Sequence, residues 1–152
     1  MMKARLNPFA AAPAIMKAML TFSEAVSAST LEHSLMELVK MRASQINGCA
    51  FCLDMHARDA IKAGERPERL YLLDAWRESP LYSDRERAAL AWTEGLTTLA
   101  ASHSLDAVYD ELARHFSPQE QVELTVAIGT INAWNRINVG FQTVHPVVRT
   151  AA

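Results

Sequence analysis

The sequence predicts an all-α protein, a compact helical bundle forming a single domain over residues 1–152. Three observations carry that expectation. Helix-start signals recur along the chain, strand signals are nearly absent, and the last long segment carries apolar residues around most of a helical circumference. A chain of 152 residues is also long enough to bury a core without disulfides or metals to hold it. Four to six helices are expected.

The first segment, residues 1–28, starts basic and looks apolar, so a secretory signal competes with a mature reading. Lys17 interrupts the apolar stretch and Pro8 and Pro13 break it, so the segment is expected to pack onto the domain. Ser29 to Glu32 reads as a capping box opening a helix over about residues 30–44. Asn47 then offers an N-cap for the next helix, and Gly64 closes it as a residue tolerant of left-handed geometry. Pro67 opens a short helix through Trp76. A second capping box, Ser83 to Glu86, begins a helix over about residues 84–99.

Residues 100–104 read as a loop, and residues 105–116 as a short amphipathic helix. Ser117-Pro118-Gln119-Glu120 combines an N-cap, a proline at the first helical position and a capping glutamate, the clearest helix start in the chain. The helix it opens should reach about Val139. Being apolar nearly all round, it is expected at the centre of the bundle and at a subunit interface together. Residues 144–152 look like a loose end, and Trp76, Trp92 and Trp134 like core or interface anchors. Met36 and Met41 read as packing residues.

Composition removes whole classes of function. A net charge of -2 and a pI near 6.2 give no electrostatic reason to expect nucleic acid or an anionic membrane as partner. The most apolar stretch, residues 124–134, is about half of the ~20 residues a spanning helix needs. Both cysteines fall in one Cys-x-x-Cys, so there is no disulfide framework of the secreted kind, and a cytoplasmic location is expected.

That pair carries the chemistry. At ~100° per residue, Cys49, Cys52, Leu53, His56, Ala60 and Ala63 share one helical face, with Asp54, Arg58 and Lys62 opposite. Residues three apart on a helix have Cβ atoms ~5–6 Å apart, so a small adjustment would let the two sulfurs bridge. A helix N-terminus favours the thiolate, and His56, one turn on, can take or relay a proton. Peroxide reduction needs this equipment: an attacking thiolate, a proton for the leaving alkoxide, and a second thiol to resolve the sulfenic acid.

Zinc is the rival reading. Cys49, Cys52 and His56 could supply three ligands, but a fourth would have to come from His33, His103, His115 or His145, and a second Cys-x-x-Cys is missing. A thioredoxin-type site would need a strand before the motif, where the sequence reads as helix. A c-type haem site would need histidine where Leu53 stands. Glu37 alone reads as structural, since Ser34 to Glu37 fits a capping box and His33 to Glu37 an i, i+4 pair.

Residues 37–56, ELVKMRASQINGCAFCLDMH, closely resemble the signature of the carboxymuconolactone decarboxylase superfamily in its AhpD-like alkylhydroperoxidase branch: Glu, eleven residues, Cys-x-x-Cys, three residues, His. The stretches SPLYSDRERAALAWTEGLT and FSPQEQVELTVAIGTINAWNRINV also look like later helices of this family. The resemblance implies an all-α homo-oligomer, commonly a trimer or hexamer, and a peroxidase working without haem, metal or organic cofactor. It assigns Cys52 as the peroxidatic thiol, Cys49 as the resolving one, and Glu37 with His56 as a proton relay. In thioredoxin-like proteins the N-terminal cysteine attacks, and the helix dipole favours Cys49 here too, so both assignments stand open.

The implied partners are a hydroperoxide substrate and a thiol electron donor of lipoyl or thioredoxin type. One departure is Phe51, where the characterised hydroperoxide reductases of this group place a histidine. The decarboxylase members generally lack the cysteine pair, which disfavours lactone decarboxylation. A redox sensor or thiol-disulfide binding protein with little turnover is the alternative function.

Overall fold

Proline, expected to break the N-terminal segment, starts two helices there. In the computed structural model, which describes residues 2–102 and 104–147, Pro8 and Pro13 both sit in the first turn of a helix, where a missing N–H costs nothing. These helices are α1 (Pro8–Ala11), capped by the Asn7 side chain, and α2 (Pro13–Ser27). There follow α3 (His33–Ile46), α4 (Ala50–Lys62), α5 (Pro67–Tyr71) with a 3₁₀ turn at Leu73–Ala75, and α6 (Asp84–Thr97) with a 3₁₀ turn at Leu99–Ala101. The last two are α7 (Asp106–His115) and α8 (Pro118–Gly140). Among the described residues there is no strand, and no helix is long and apolar enough to cross a membrane. The all-α expectation holds, with more helices than the four to six foreseen.

Helix α3 is more deeply buried for its length than α8, which the sequence placed at the centre, with eight of 14 residues buried against seven of 23. Helix α3 packs against α4, α6 and α8, and its sides feed three apolar clusters. Leu35, Met36 and Val39 join Trp92, Leu112, Leu124 and Ile128; Leu38 and Met41 join Leu73, Trp76 and Leu90; Ala43 joins Cys49, Cys52 and Ile131. Helix α8 buries Leu124, Ala127, Ile128 and Ile131 but leaves Val122 at 63% and Val126 at 37% exposure. Its apolar circumference is therefore only partly used within the chain.

The capping boxes at Ser83 and Ser117 form as expected. The one at Ser29 does not, and α3 begins only at His33 without a side-chain cap. Arg85 of α6 takes both oxygens of Glu32 at 3.0 Å, and Glu123 of α8 accepts from the Thr30 N–H and hydroxyl at 3.1 and 2.6 Å. Charge-assisted tertiary bonds draw the local capping groups elsewhere. Asn47 also differs from expectation: it ends α3, and Cys49 caps α4. The reversal between them is a Schellman turn, with Gly48 at φ +65°, its N–H bonded to the Gln45 carbonyl, and the Cys49 N–H bonded to the Ser44 carbonyl. Gly64 closes α4 in the same way at φ +96°.

Residues 2–28 lie against the bundle. Arg5 bonds the Phe141 and Gly140 carbonyls at 2.9 and 2.7 Å, Phe9 stacks on Trp134, and the Trp134 indole N–H donates to Ser23 at 2.8 Å. Trp76 and Trp92 are buried anchors, and Met36 and Met41 lie in the core. Of the supposed loose end, residues 144–147 run beside α4, where Arg58 bonds the Pro146 carbonyl at 3.3 Å, and residues 148–152 lie outside the described part.

The two serines give a direct contrast. Ser117→Ala should cost about 1 kcal/mol of unfolding free energy by removing a formed cap, whereas Ser29→Ala should stay within about 0.5 kcal/mol. Urea denaturation of both variants checks this, and equal losses would contradict the structure.

Candidate active site

The Schellman turn delivers the chain into α4 with Cys49 at the N-cap and Cys52 in the first turn. Their Cα atoms are 5.4 Å apart and the sulfurs form a disulfide pair, as the spacing allowed. The Cys52 N–H donates to Cys49 Sγ at 3.4 Å, so the cap position does point a backbone dipole at that sulfur. Each cysteine is 1% exposed. They differ in what lies in front of them.

A cavity of about 800 Å³ opens between the N-terminal segment and α8, and Cys52 lines it together with His56 and Lys40. Phe51, Ile131 and Trp134 form apolar wall, and Leu6 and Phe9 of the N-terminal segment close one side. Both cysteines share the small apolar cluster of Ala43 and Ile131. Of the two, Cys52 lines the cavity and Cys49 does not.

Glu37 reaches this centre from α3. It is 3% exposed, and its two oxygens are divided: Oε2 accepts from His56 Nδ1 at 2.8 Å, and Oε1 from Lys40 Nζ at 2.9 Å. Burial alone would push its carboxyl pKa up. The hydrogen bonds and charges of His56 and Lys40 outweigh it and hold the pKa at about 2, well below the ordinary 4.5. An ionised Glu37 accepts only, so Nδ1 of His56 must carry hydrogen, which fixes the tautomer and leaves Nε2 for proton transfer.

All four residues singled out from the sequence, Glu37, Cys49, Cys52 and His56, thus come together. Two others were missed. Lys40 was readable only as an i, i+3 partner of Glu37, with no cue that the pair would be buried. Asn138, near the end of α8, donates from Nδ2 to Cys52 Sγ at 3.5 Å and lines the same cavity. It lies 86 residues from Cys52, and no local pattern marks it.

The motif turn is anchored by amides. Asn47 donates to the side-chain oxygens of Asn132 and Asn135 on α8 at 3.0 and 2.9 Å, and Asn135 donates to Ser44 at 2.9 Å. Satisfied buried amides of this kind fix one arrangement of α3, the turn and α8.

The histidines considered for a zinc site are scattered. His33 is exposed on α3 with Nε2 3.9 Å from Glu37 Oε1, His115 pairs with Glu111 at 3.0 Å, His145 lies 4.0 Å from Asp54, and His103 lies outside the described residues. Among the described residues, the three-ligand grouping that forms is Glu37, His56 and Asp59, without sulfur. Lys40 already supplies the cation to that carboxylate.

The profile of the carboxymuconolactone decarboxylase family matches residues 13–95. The uncharacterized protein YdfG of Bacillus subtilis (strain 168) is 39% identical over 138 residues, 91% of this chain and 94% of that protein. A crystal structure from Agrobacterium tumefaciens, of a protein of unknown function suggested to be the antioxidant defence protein AhpD, superposes with a TM-score of 0.93. It is 45% identical, across 96% of this chain and all of that one. The debrominase Bmp8 shares the fold, with a TM-score of 0.80 at 24% identity over 88% of this chain and 72% of its own.

The depressed Glu37 pKa gives a pH signature. Because its folded value lies below the unfolded one, the stability it contributes is fully present above pH 4.5 and is lost as pH falls toward about 2. The unfolding free-energy gap between wild type and Glu37→Gln should therefore shrink steadily across that window. A gap independent of pH would contradict the ionised pair.

Proposed function

The chain belongs to the carboxymuconolactone decarboxylase family, in its AhpD-like branch, and on that premise we propose that it is a cysteine-dependent hydroperoxide reductase. The observation that carries the reading is the setting of Cys52: a sulfur at the floor of a large apolar cavity, with a histidine oriented by an ionised carboxylate beside it and a second cysteine behind it.

The reaction follows from those positions. In the reduced protein His56 Nε2 takes the Cys52 thiol proton, and the resulting imidazolium is stabilised by Glu37 through Nδ1. The Cys52 thiolate attacks one peroxide oxygen, forming S–O as O–O breaks, and the departing alkoxide takes the proton from His56 to leave as alcohol. The Cys49 thiol then attacks the Cys52 sulfenic acid. Its proton joins the displaced hydroxide as water, and the disulfide closes. A dithiol donor of lipoyl or thioredoxin type returns two electrons by thiol-disulfide exchange.

Access decides between the sulfurs. The helix N-terminus favours a thiolate at Cys49, but Cys52 lines the cavity and Cys49 does not, so we assign the attacking role to Cys52 and resolution to Cys49. The cavity wall suits an organic hydroperoxide. Phe51 there supplies surface rather than a proton, leaving His56 as the proton-transferring side chain on the same cavity as Cys52. We further propose a homo-oligomer, a trimer or hexamer, acting in the cytoplasm. The exposed apolar surface of Val122 and Val126 is consistent with assembly.

The test is steady-state reduction of cumene hydroperoxide with lipoyl and thioredoxin-type donors in turn. Cys52→Ser and Cys49→Ser should each reduce turnover to background, and His56→Gln should lower it roughly 10²–10⁴-fold. Full activity in either serine variant would overturn the proposal. Oxidation once without recycling by any donor would instead establish the redox sensor.

A further inference from the structure

The relay of Glu37 and His56 serves the proton, and a different group serves the sulfur. Asn138 of α8 places Nδ2 3.5 Å from Cys52 Sγ, across the interface between α4 and α8 and at the rim of the same cavity. A thiolate can only accept, so an amide facing it must turn its N–H₂ inward; the donor assignment follows from the chemistry of the partner.

We propose that Asn138 is a catalytic residue, its side-chain N–H holding the Cys52 sulfur in its nucleophilic, anionic form and aiming it into the cavity. This rests on the reading of Cys52 as the attacking thiol. The titratable groups around that sulfur are Cys49 and His56 on α4, Glu37 and Lys40 on α3, and Lys3 from the N-terminal segment, which also lines the cavity. Asn138 has no charge of its own to lose, so its donation persists at every pH where the thiolate exists. A hydrogen bond to the charged form favours that form. Asn138 enters before the first bond is made: Cys52–SH gives its proton to His56, and the amide donates to the sulfur that keeps the electron pair.

The test reads the thiol rather than turnover, so it stands apart from the peroxidase assay. In a Cys49→Ser background one thiol remains, and serine preserves an N-cap. Its ionisation is followed by thiolate absorbance and by the rate of iodoacetamide alkylation against pH. Asn138→Ala should move the midpoint up by about one pH unit, a tenfold loss of thiolate below it. Asn138→Asp, nearly the same shape but an acceptor, should move it further.

With Asn138 intact, the side-chain amide resonance should titrate with the same midpoint as Cys52, a readout that survives any folding defect in the variants. An amide resonance that ignores Cys52 ionisation, or midpoints unchanged in folded Ala and Asp variants, would overturn the proposal. Shifted midpoints in a protein whose wild type turns over no peroxide would retire the peroxidase reading and leave the thiol-tuning role standing.

Discussion

A carboxylate that is 3% exposed needs its charge answered from both sides, and Glu37 has His56 on one oxygen and Lys40 on the other. Removing water from an ion without such partners is costly enough that the group would protonate instead. Here it stays ionised, and the consequence spreads outward. The charge fixes the His56 tautomer, which frees Nε2, and the pairing locks α3 to α4 across the segment that carries both cysteines. Since α3 also feeds the three apolar clusters, the core and the proton relay depend on the same helix.

The two cysteines illustrate how a short motif acquires two roles. Spacing alone makes them near equals, and the N-cap position favours ionisation of Cys49. Packing separates them. Both share the cluster of Ala43 and Ile131, but Cys52 also lines the cavity with Leu6, Phe9 and Trp134, and Cys49 does not. The N-terminal segment is held over that cavity by Arg5 and by the stacking of Phe9 on Trp134, so the wall that shapes substrate access comes from the start of the chain. A debrominase has the same fold, so fold alone does not select a substrate.

Local signals in the sequence were reliable where tertiary partners left a capping oxygen within reach of the backbone. Ser83 and Ser117 cap their helices even though Arg69 also holds Glu86 and Arg85 also holds Glu120, because one carboxylate oxygen of each still accepts from the cap N–H. At Ser29 the capping groups are taken by Arg85 and Glu123, contacts that no window of neighbouring residues contains. Pro8 and Pro13 were read as breaks when they are starts, a distinction that rests on which side of the proline the helix lies. The length and apolarity of α8 suggested the most buried helix, but α8 buries seven of its 23 residues while α3 buries eight of its 14. At the site, Cys49, Cys52 and His56 were legible from helical spacing. Glu37 became legible only through the family resemblance, and Lys40 and Asn138 because the chain folds them there.

The central claim is that Cys52 is the sulfur that peroxide meets. The most direct measurement is mass-spectrometric trapping of the sulfenic acid with dimedone after one equivalent of cumene hydroperoxide, in reduced Cys49→Ser and Cys52→Ser proteins. The account predicts the adduct on Cys52 in the first protein and none in the second. An adduct on Cys49 in the Cys52→Ser protein, with Cys49→Ser unlabelled, would contradict it.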